Sequence, residues 1–421
     1  MTKDTPENID NKLKLSNFPE EIDTENGIKI YGETSWENQM AVLSQFLHNG
    51  NMETSRNEIL ATILGFIEKK KELYPDLEIE PTFEFASMVA ESPSHYSLFR
   101  DFFDVPFPNP LNGNHTLIDL FAGIGGIRLP FNELGYRCVF SSEWDKYAQK
   151  TYFANFGEMP FGDITQESTK KFIPQKFDLL LAGFPCQAFS IMGKRQGFAD
   201  TRGTLFFDVA TILERHHPQA ILLENVKQLT THDKNRTFQT ILRILNELGY
   251  KVKWKVLNAL DFGLPQKRER VIIVGFLSQN KIDAFNFDFV KQPYTLNGLL
   301  ESDESVDNSL FASEKILEKR HKQTEGKNIF YPSIWHENKA GNVSVLDYAC
   351  ALRTGASYNY LLVNGRRRPS SRELLRLQGF PDNYRIVVSH GEIRRQTGNS
   401  VAVPMIREIA RKIDFILNNI D

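Results

Sequence analysis

From residue 116 the chain alternates short apolar runs with helical segments, and no other feature limits its possible folds as strongly. The runs "TLIDLF", "RCVFSSE", "FDLLLAGF", "QAILLEN" and "RVIIVGF" are β-branched or leucine-rich, and segments such as "GTLFFDVATILERHH" and "RTFQTILRILNELG" separate them. Apolar strands joined by helical crossovers predict an α/β fold with a mainly parallel sheet covered on both faces. Regularity fades after about residue 280, where "EKILEKRHKQTEGKN" and "CALRTGASYNY" mix bases and aromatics without a clear period. The tail "NSVAVPMIREIARKIDFILNNI" returns to an amphipathic helix, and no internal repeat is present.

The first 115 residues differ from the rest in charge. They hold 9 Lys and Arg against 20 Asp and Glu, a balance of −11, so the remainder carries +8 within a net charge of −3. An acidic head on a basic body suggests that the body meets a polyanion and the head does not. The head starts polar and weakly patterned, then offers two helical stretches, "WENQMAVLSQFLH" and "TSRNEILATILGFIEKKKEL", the second with a Thr/Ser cap followed by Glu58. "FFDVPFPNPLNGNH" has the Pro, Asn and Gly density of a linker, which puts a boundary near residue 115. No run approaches the roughly 18 apolar residues of a membrane span, and "MTKDTPENIDNK" lacks a signal peptide's apolar core. Cys138, Cys186 and Cys350 are odd in number and far apart, suiting neither a disulfide framework nor a zinc site. A reducing cytoplasm is therefore expected, with no membrane and no metal.

Several strand ends carry chemistry. "DLFAGIGG", Asp119 to Gly126, closes a strand just before a helix, where glycines let a ligand approach the backbone and a helix N-terminus favours negative charge. Glu143, twenty residues beyond Gly123, falls where the second strand should end and could accept ribose hydroxyls. This pair alone does not separate NAD from S-adenosylmethionine. Asp163 in "FGDIT" could hold an adenine amino group or cap the helix that follows. In "GFPCQAFS", Cys186 directly follows a proline at the end of an apolar strand, so its sulfur should emerge where open α/β sheets bind ligands. "GKRQGFADTR" downstream supplies Lys194, Arg195 and Arg202, an electropositive setting that favours thiolate. "LLENV" sets Glu224 at the end of the next strand, and "PQKRER" brings Arg268 and Arg270 towards the same edge. Any one of these could be packing or a solvated face; thiol, carboxylate and guanidinium converging at one edge are harder to dismiss.

At these residues the chain resembles the DNA (cytosine-5)-methyltransferases of bacterial restriction–modification systems. The motifs run in that family's order: "DLFAGIGG", "EWDKYAQKTY", "GDIT", "GFPCQAFS", "RGTLFFD", "LLENVKQL", "PQKRERVIIVGF", "SSRELLRLQGFPDNY" and "TGNSVAVP". The resemblance implies an S-adenosylmethionine-dependent, Rossmann-like catalytic body over 116–280, a small irregular target-recognition domain over 281–365, a segment 366–421 returning to the body, and a helical extension over 1–115. It implies that Cys186 is the nucleophile adding to carbon 6 of cytosine, that Glu224 bonds or protonates ring nitrogen 3, and that Arg270 holds the base's carbonyl oxygen with Arg268 in support. Phe121, Gly123, Glu143, Trp144, Asp163, Ile164, Pro185 and Leu205 would line the S-adenosylmethionine pocket, with Asn399 closing it.

Carbon 5 of cytosine is a weak nucleophile, and thiolate addition at carbon 6 makes it enamine-like. The attack must come perpendicular to the ring, so the base must leave the stack, at a cost of a few kcal/mol. The loop 187–202 would close over it, with Ser190 and Arg202 reaching the DNA backbone. Met192 stands where some relatives have a small polar residue, and the recognition region reads "ACALRTGAS" without the family's usual Thr-Leu pair. Arg353 and Thr354 are candidates for DNA contacts there. The implied partners are duplex DNA, bound by a monomer, and a cognate restriction endonuclease as a functional partner. An NAD-dependent oxidoreductase would leave Cys186, Glu224 and the arginines without a joint task. A tRNA substrate leaves unexplained some 85 residues between "RVIIVGF" and "RRRPSSREL". A catalytically dead DNA-binding regulator would not need the intact set of Cys186, Glu224 and Arg270. The −11 balance of the head favours a packing or partner-binding role over phosphate binding.

Overall fold

A computed structural model describes residues 36–49, 59, 63–65, 67, 104–110, 113–185 and 205–421. The helix expected first is present as α1 (Trp36–Asn49), whereas the cap expected at the head of the second stretch lies outside the described residues.

Strands β1 (Thr116–Leu120), β2 (Arg137–Ser142), β3 (Leu179–Ala182), β4 (Ala220–Val226), β5 (Lys251–Asn258) and β7 (Glu269–Phe276) form one sheet, in the order β2-β1-β3-β4-β7-β5. β1 to β4 run parallel, and β7 runs antiparallel to both its neighbours. The reversal matters for the site. The start of β7, not its end, lies beside the carboxyl end of β4, and Arg270 stands opposite Val226.

Strand side chains alternate between two apolar layers, as a sheet covered on both faces requires. Ile118, Leu120, Phe140, Leu180 and Ile221 pack with α1, α5 (Leu205–His216) and α6 (Arg236–Glu247). Leu117, Cys138, Leu181, Leu222 and Val274 pack on the other face with α2 (Arg128–Glu133), α7 (Gln279–Ala284) and α11 (Val403–Asn419). α11 starts with a proline in its first turn, where no N–H partner is needed, and buries eight side chains including Met405, Ile409 and Ile413. Burying a large aliphatic side chain is worth roughly 1.5–3 kcal/mol. The tail is therefore held firmly against the first strand's layer.

The linker-like stretch is sewn to the sheet's edge. Asn109 accepts the Cys138 N–H through Oδ1 at 2.8 Å and donates Nδ2 to the Cys138 carbonyl at 2.9 Å, as a neighbouring strand would. Between β7 and the tail, β8 (Ile334–Glu337), β9 (Val343–Leu346) and β11 (Leu361–Val363) form an antiparallel sheet in the order β11-β8-β9, with α8 (Glu314–Thr324) near β9. β10 (Ala349–Cys350) pairs instead with β6 (Gln266–Lys267), just ahead of β7. A third apolar cluster joins Leu352, Tyr360 and Leu361 to Ala122, Leu129 and Tyr152 of the glycine turn's surroundings. Among the described residues no helix is long and apolar enough to cross a membrane.

Candidate active site

The carboxyl ends of β1 to β4 open into a cleft of about 620 Å³. Its floor is the glycine turn. Phe121 has φ +54°, a left-handed conformation that costs a non-glycine residue energy and persists only where the surroundings enforce it. Gly123 follows at φ +56°, and a Cβ on Gly126 would come within 2.7 Å of Ser400 Oγ. These constraints let the backbone itself face a ligand.

Glu143, just past β2, accepts the Gly123 N–H at 2.8 Å and the Asp145 N–H at 2.9 Å. Burial pushes its carboxyl above the usual range, against the pull of those two amides. Beside it the Trp144 ring is 79% exposed. Asp145 caps α3 (Lys146–Phe156) by accepting from the Tyr147 and Ala148 N–H groups. Arg395 on α10 (His390–Asn399) donates to Asp145 at 2.6 and 3.0 Å, fixing one cleft wall to the other. Asp163 does not cap α4 (Glu167–Lys170), whose N-cap is Gln166; its carboxylate bonds the Thr165 N–H at 2.9 Å in a tight turn.

All nine residues expected to hold the cofactor line this one cleft: Phe121, Gly123, Glu143, Trp144, Asp163, Ile164, Pro185, Leu205 and Asn399. Two polar atoms on its wall, Ser142 Oγ and Gln396 Nε2, are buried with no hydrogen-bond partner among the described residues. Buried polar groups are costly when unpaired. A polar ligand with hydroxyl and carboxylate groups would satisfy them, and S-adenosylmethionine has both.

The same cleft receives Glu224 from β4 and Arg270 from β7, with Arg270 Nε 2.8 Å from Glu224 Oε1. Burial raises the Glu224 carboxyl above its usual range, opposed by Arg270 and then Arg268. Asn225 donates Nδ2 to the Phe184 carbonyl at 2.8 Å, so β4 also holds the chain as it approaches position 186. A Cβ on Gly183 would sit 3.5 Å from Glu224 Oε2, which is how that strand end passes so close to the carboxylate. Cys186, Ser190, Met192 and Arg202, with the loop 187–202, lie outside the described residues.

Arg268 takes a different place from Arg270. It is fully buried outside the cleft and donates to the carbonyls of Leu352 and Gly398, each at 3.1 Å, and to that of Ser400. Burial, then the neighbouring Arg270 charge, draws its guanidinium down to about 9. Its structure suits positioning of the wall that carries Asn399, not contact with a base.

Arg353 and Thr354 are exposed, and their backbone lies against Gly398, where a Cβ would be 2.8 Å from the Thr354 N atom. The Arg353 guanidinium sits 5.2 Å from the Tyr360 ring centre. Arg368 and Arg394 lie 4.5 and 5.1 Å from the ring centre of Tyr358, itself 50% exposed. Arg353, Arg368 and Arg394 have no carboxylate within ion-pair distance among the described residues. Sequence reasoning missed Tyr358, Arg368 and Arg394 because they gather across some 36 positions of chain. The "RRR" and "RR" runs were the only available signal.

The family described as C-5 cytosine-specific DNA methylase matches residues 115–414. The chain belongs to that family. The methyltransferase is 57% identical over 307 residues to the Type II methyltransferase M.HaeII of Haemophilus aegyptius, a match covering 72% of this chain and 94% of that protein. It is 57% identical to M.NgoBI of Neisseria gonorrhoeae, over 72% of this chain and 94% of that one, and 45% identical to M.HpaII of Haemophilus parainfluenzae, over 79% and 98%. Among solved structures, DNMT2 of Spodoptera frugiperda superposes with a TM-score of 0.54 at 21% identity, covering 71% of this chain and 99% of that one. That likeness carries the fold, a Rossmann-like α/β methyltransferase sheet. The chain is a DNA cytosine-5-methyltransferase of the bacterial restriction–modification type.

Proposed function

We propose that this enzyme methylates cytosine within a short specific site in duplex DNA, taking the methyl group from S-adenosylmethionine and attacking the base through Cys186. The observation that carries the reading is the shared cleft, in which Glu224 and Arg270 face the same space as Glu143, Trp144 and the glycine turn.

In this reading Glu143, Trp144, Asp163, Ile164, Pro185, Leu205 and the turn at Phe121 and Gly123 bind the cofactor, with Asn399 closing the cleft. S-adenosylmethionine bound there supplies a methyl group activated by its sulfonium. The Cys186 thiolate adds to carbon 6 of a cytosine turned out of the duplex, forming a carbon–sulfur bond. Glu224, whose carboxyl is raised above its usual range by burial, gives a proton to ring nitrogen 3 and so neutralises the charge that addition creates. Arg270 bonds the base's carbonyl oxygen and holds the Glu224 side chain in line. Carbon 5, now enamine-like, takes the methyl group as the methyl–sulfur bond breaks and the donor sulfur is left as a neutral thioether. A base then removes the carbon 5 proton, the electron pair restores the carbon 5–carbon 6 double bond and expels the thiolate, and ring nitrogen 3 returns its proton to Glu224.

The guanidiniums of Arg353, Arg368 and Arg394, which have no carboxylate partner among the described residues, support DNA binding beside the cleft mouth together with Tyr358 and Thr354. Ser190 and Arg202 would complete that surface. The domain reading, with target recognition over 281–365 and the catalytic body over 116–280 and 366–421, follows the same logic. A monomer acting on DNA in the cytoplasm, protecting host DNA from a cognate restriction endonuclease, is the biological setting this implies. Methyl incorporation into duplex DNA but not tRNA, with protection from one restriction endonuclease in an expressing cell, is the expected result. Transfer to tRNA alone would overturn the substrate.

A further inference from the structure

We infer that α1, from the acidic head, is an in-chain clamp on the wall of the cofactor cleft that carries Asp163 and Ile164, and that Ser44 and Gln45 are its positioning residues. This rests on the reading of that cleft as the S-adenosylmethionine site.

Two side chains of α1 grip one short segment. Ser44 Oγ accepts the Met159 N–H at 3.0 Å, and Gln45 Nε2 donates to Glu158 Oε2 at 3.1 Å. Both are fully buried, among Met40, Leu43, Phe46 and Leu47, which share one apolar layer with Phe140, Phe161 and Ile164. Glu158 is itself fully buried and takes both arms of Arg128, at 2.7 and 2.8 Å. Arg128 reaches Tyr152 Oη at 2.9 Å, and Tyr152 donates to Asp119 on the cleft floor at 3.3 Å.

The segment that α1 grips leads directly into the cleft. Phe161 donates its N–H to the Ser141 carbonyl and accepts the Glu143 N–H, each at 2.8 Å, and Asp163 and Ile164 follow within three residues. Residues 158–164 are thus stitched on one side to the end of β2, which presents Glu143, and on the other to α1. A buried carboxylate needs its remaining lone pairs satisfied, and Gln45 supplies a third donor to Glu158. M.HaeII, matched over 307 residues that are 94% of its length, leaves no room for a head of this size.

The test uses the full-length protein with Ser44→Ala and Gln45→Met, the latter close in shape but without the amide, singly and together. Calorimetric titration with S-adenosylhomocysteine, duplex DNA affinity, melting temperature and amide exchange over 158–164 are measured. The double variant is expected to bind S-adenosylhomocysteine about tenfold more weakly, the scale of one or two net hydrogen bonds. Amide exchange over 158–164 should accelerate, DNA affinity should stay the same, and Ser44→Thr, which keeps the hydroxyl, should restore binding. Unchanged affinity and unchanged exchange in folded variants would overturn the clamp. If the parent protein binds no S-adenosylhomocysteine, the cofactor reading fails instead, and exchange at 158–164 still decides the clamp. Should the variants not fold, the parent's Met159 amide must exchange as slowly as that of Phe161; fast exchange there overturns it.

Discussion

Glu224 and Arg270 depend on each other at the scale of single residues. Burial favours the neutral carboxyl of Glu224, and Arg270, 2.8 Å away, favours the charged one. Burial wins, so the folded-state value lies above the ordinary one. The protonated form that can donate to ring nitrogen 3 persists to higher pH than an exposed glutamate allows, and turnover should fall as pH rises through the shifted value. Glu224→Gln should lower kcat by about 10²–10⁴-fold and flatten that limb of the pH profile; an unaltered alkaline limb would remove Glu224 from the proton transfer. Asp119 gives an independent test of stability. Burial, opposed by Arg128, raises its carboxyl from 3.8 to about 7. A raised folded value means stability that is complete below the unfolded value and lost as pH climbs towards 7. Melting temperatures of Asp119→Asn and the parent should therefore diverge in favour of the asparagine between about pH 4 and 7. A constant difference across that range would contradict the assignment.

At the scale of elements, the site depends on which strand ends meet and on what holds the wall carrying Asn399. Arg268 ties β7's approach to the carbonyls of Leu352, Gly398 and Ser400. Arg268→Ala leaves those carbonyls without their donor and should cost about 3 kcal/mol of stability, read by denaturant unfolding. It should also raise KM for the cofactor more than it lowers kcat. Much at this scale was legible in advance. β1 to β4 are short, apolar on both faces and bounded by glycine, proline or acidic residues, so their positions and the convergence of Glu143 with the glycine turn could be read directly. β5 was not readable, because "KVKWKVLN" is half-buried along most of its length and its lysines resemble a solvated segment. The antiparallel sense of β7 was invisible too, since apolar content is the same in either direction. That reversal nevertheless decides how Arg270 reaches Glu224. Arg268 looked like Arg270's twin, and regular alternation would put the two on one face; Arg268 instead falls in the break between β6 and β7 and turns into the interior, while Arg270 on β7 enters the cleft.

Charge orders the molecule as a whole. The first 115 residues carry −11 and the remainder +8, yet α1, from that acidic head, is packed into the main apolar layer. Sequence reading favoured a packing or partner-binding role for the head and could name no target within the chain, because Gln45 and Glu158 are 113 residues apart. The arginine–tyrosine cluster at Tyr358 was likewise hidden by distance along the chain. Arg368→Ala and Arg394→Ala should each weaken duplex binding evenly across sequences and reduce the slope of log affinity against log salt by about 1. An unchanged slope would show that neither meets a phosphate. The central claim concerns Cys186, and trapping tests it most directly. Duplex DNA carrying 5-fluorocytosine at the target, with S-adenosylmethionine present, should yield a stable covalent adduct whose peptide maps to Cys186 and which Cys186→Ser does not form. No adduct, or an adduct at any other residue, would contradict the account.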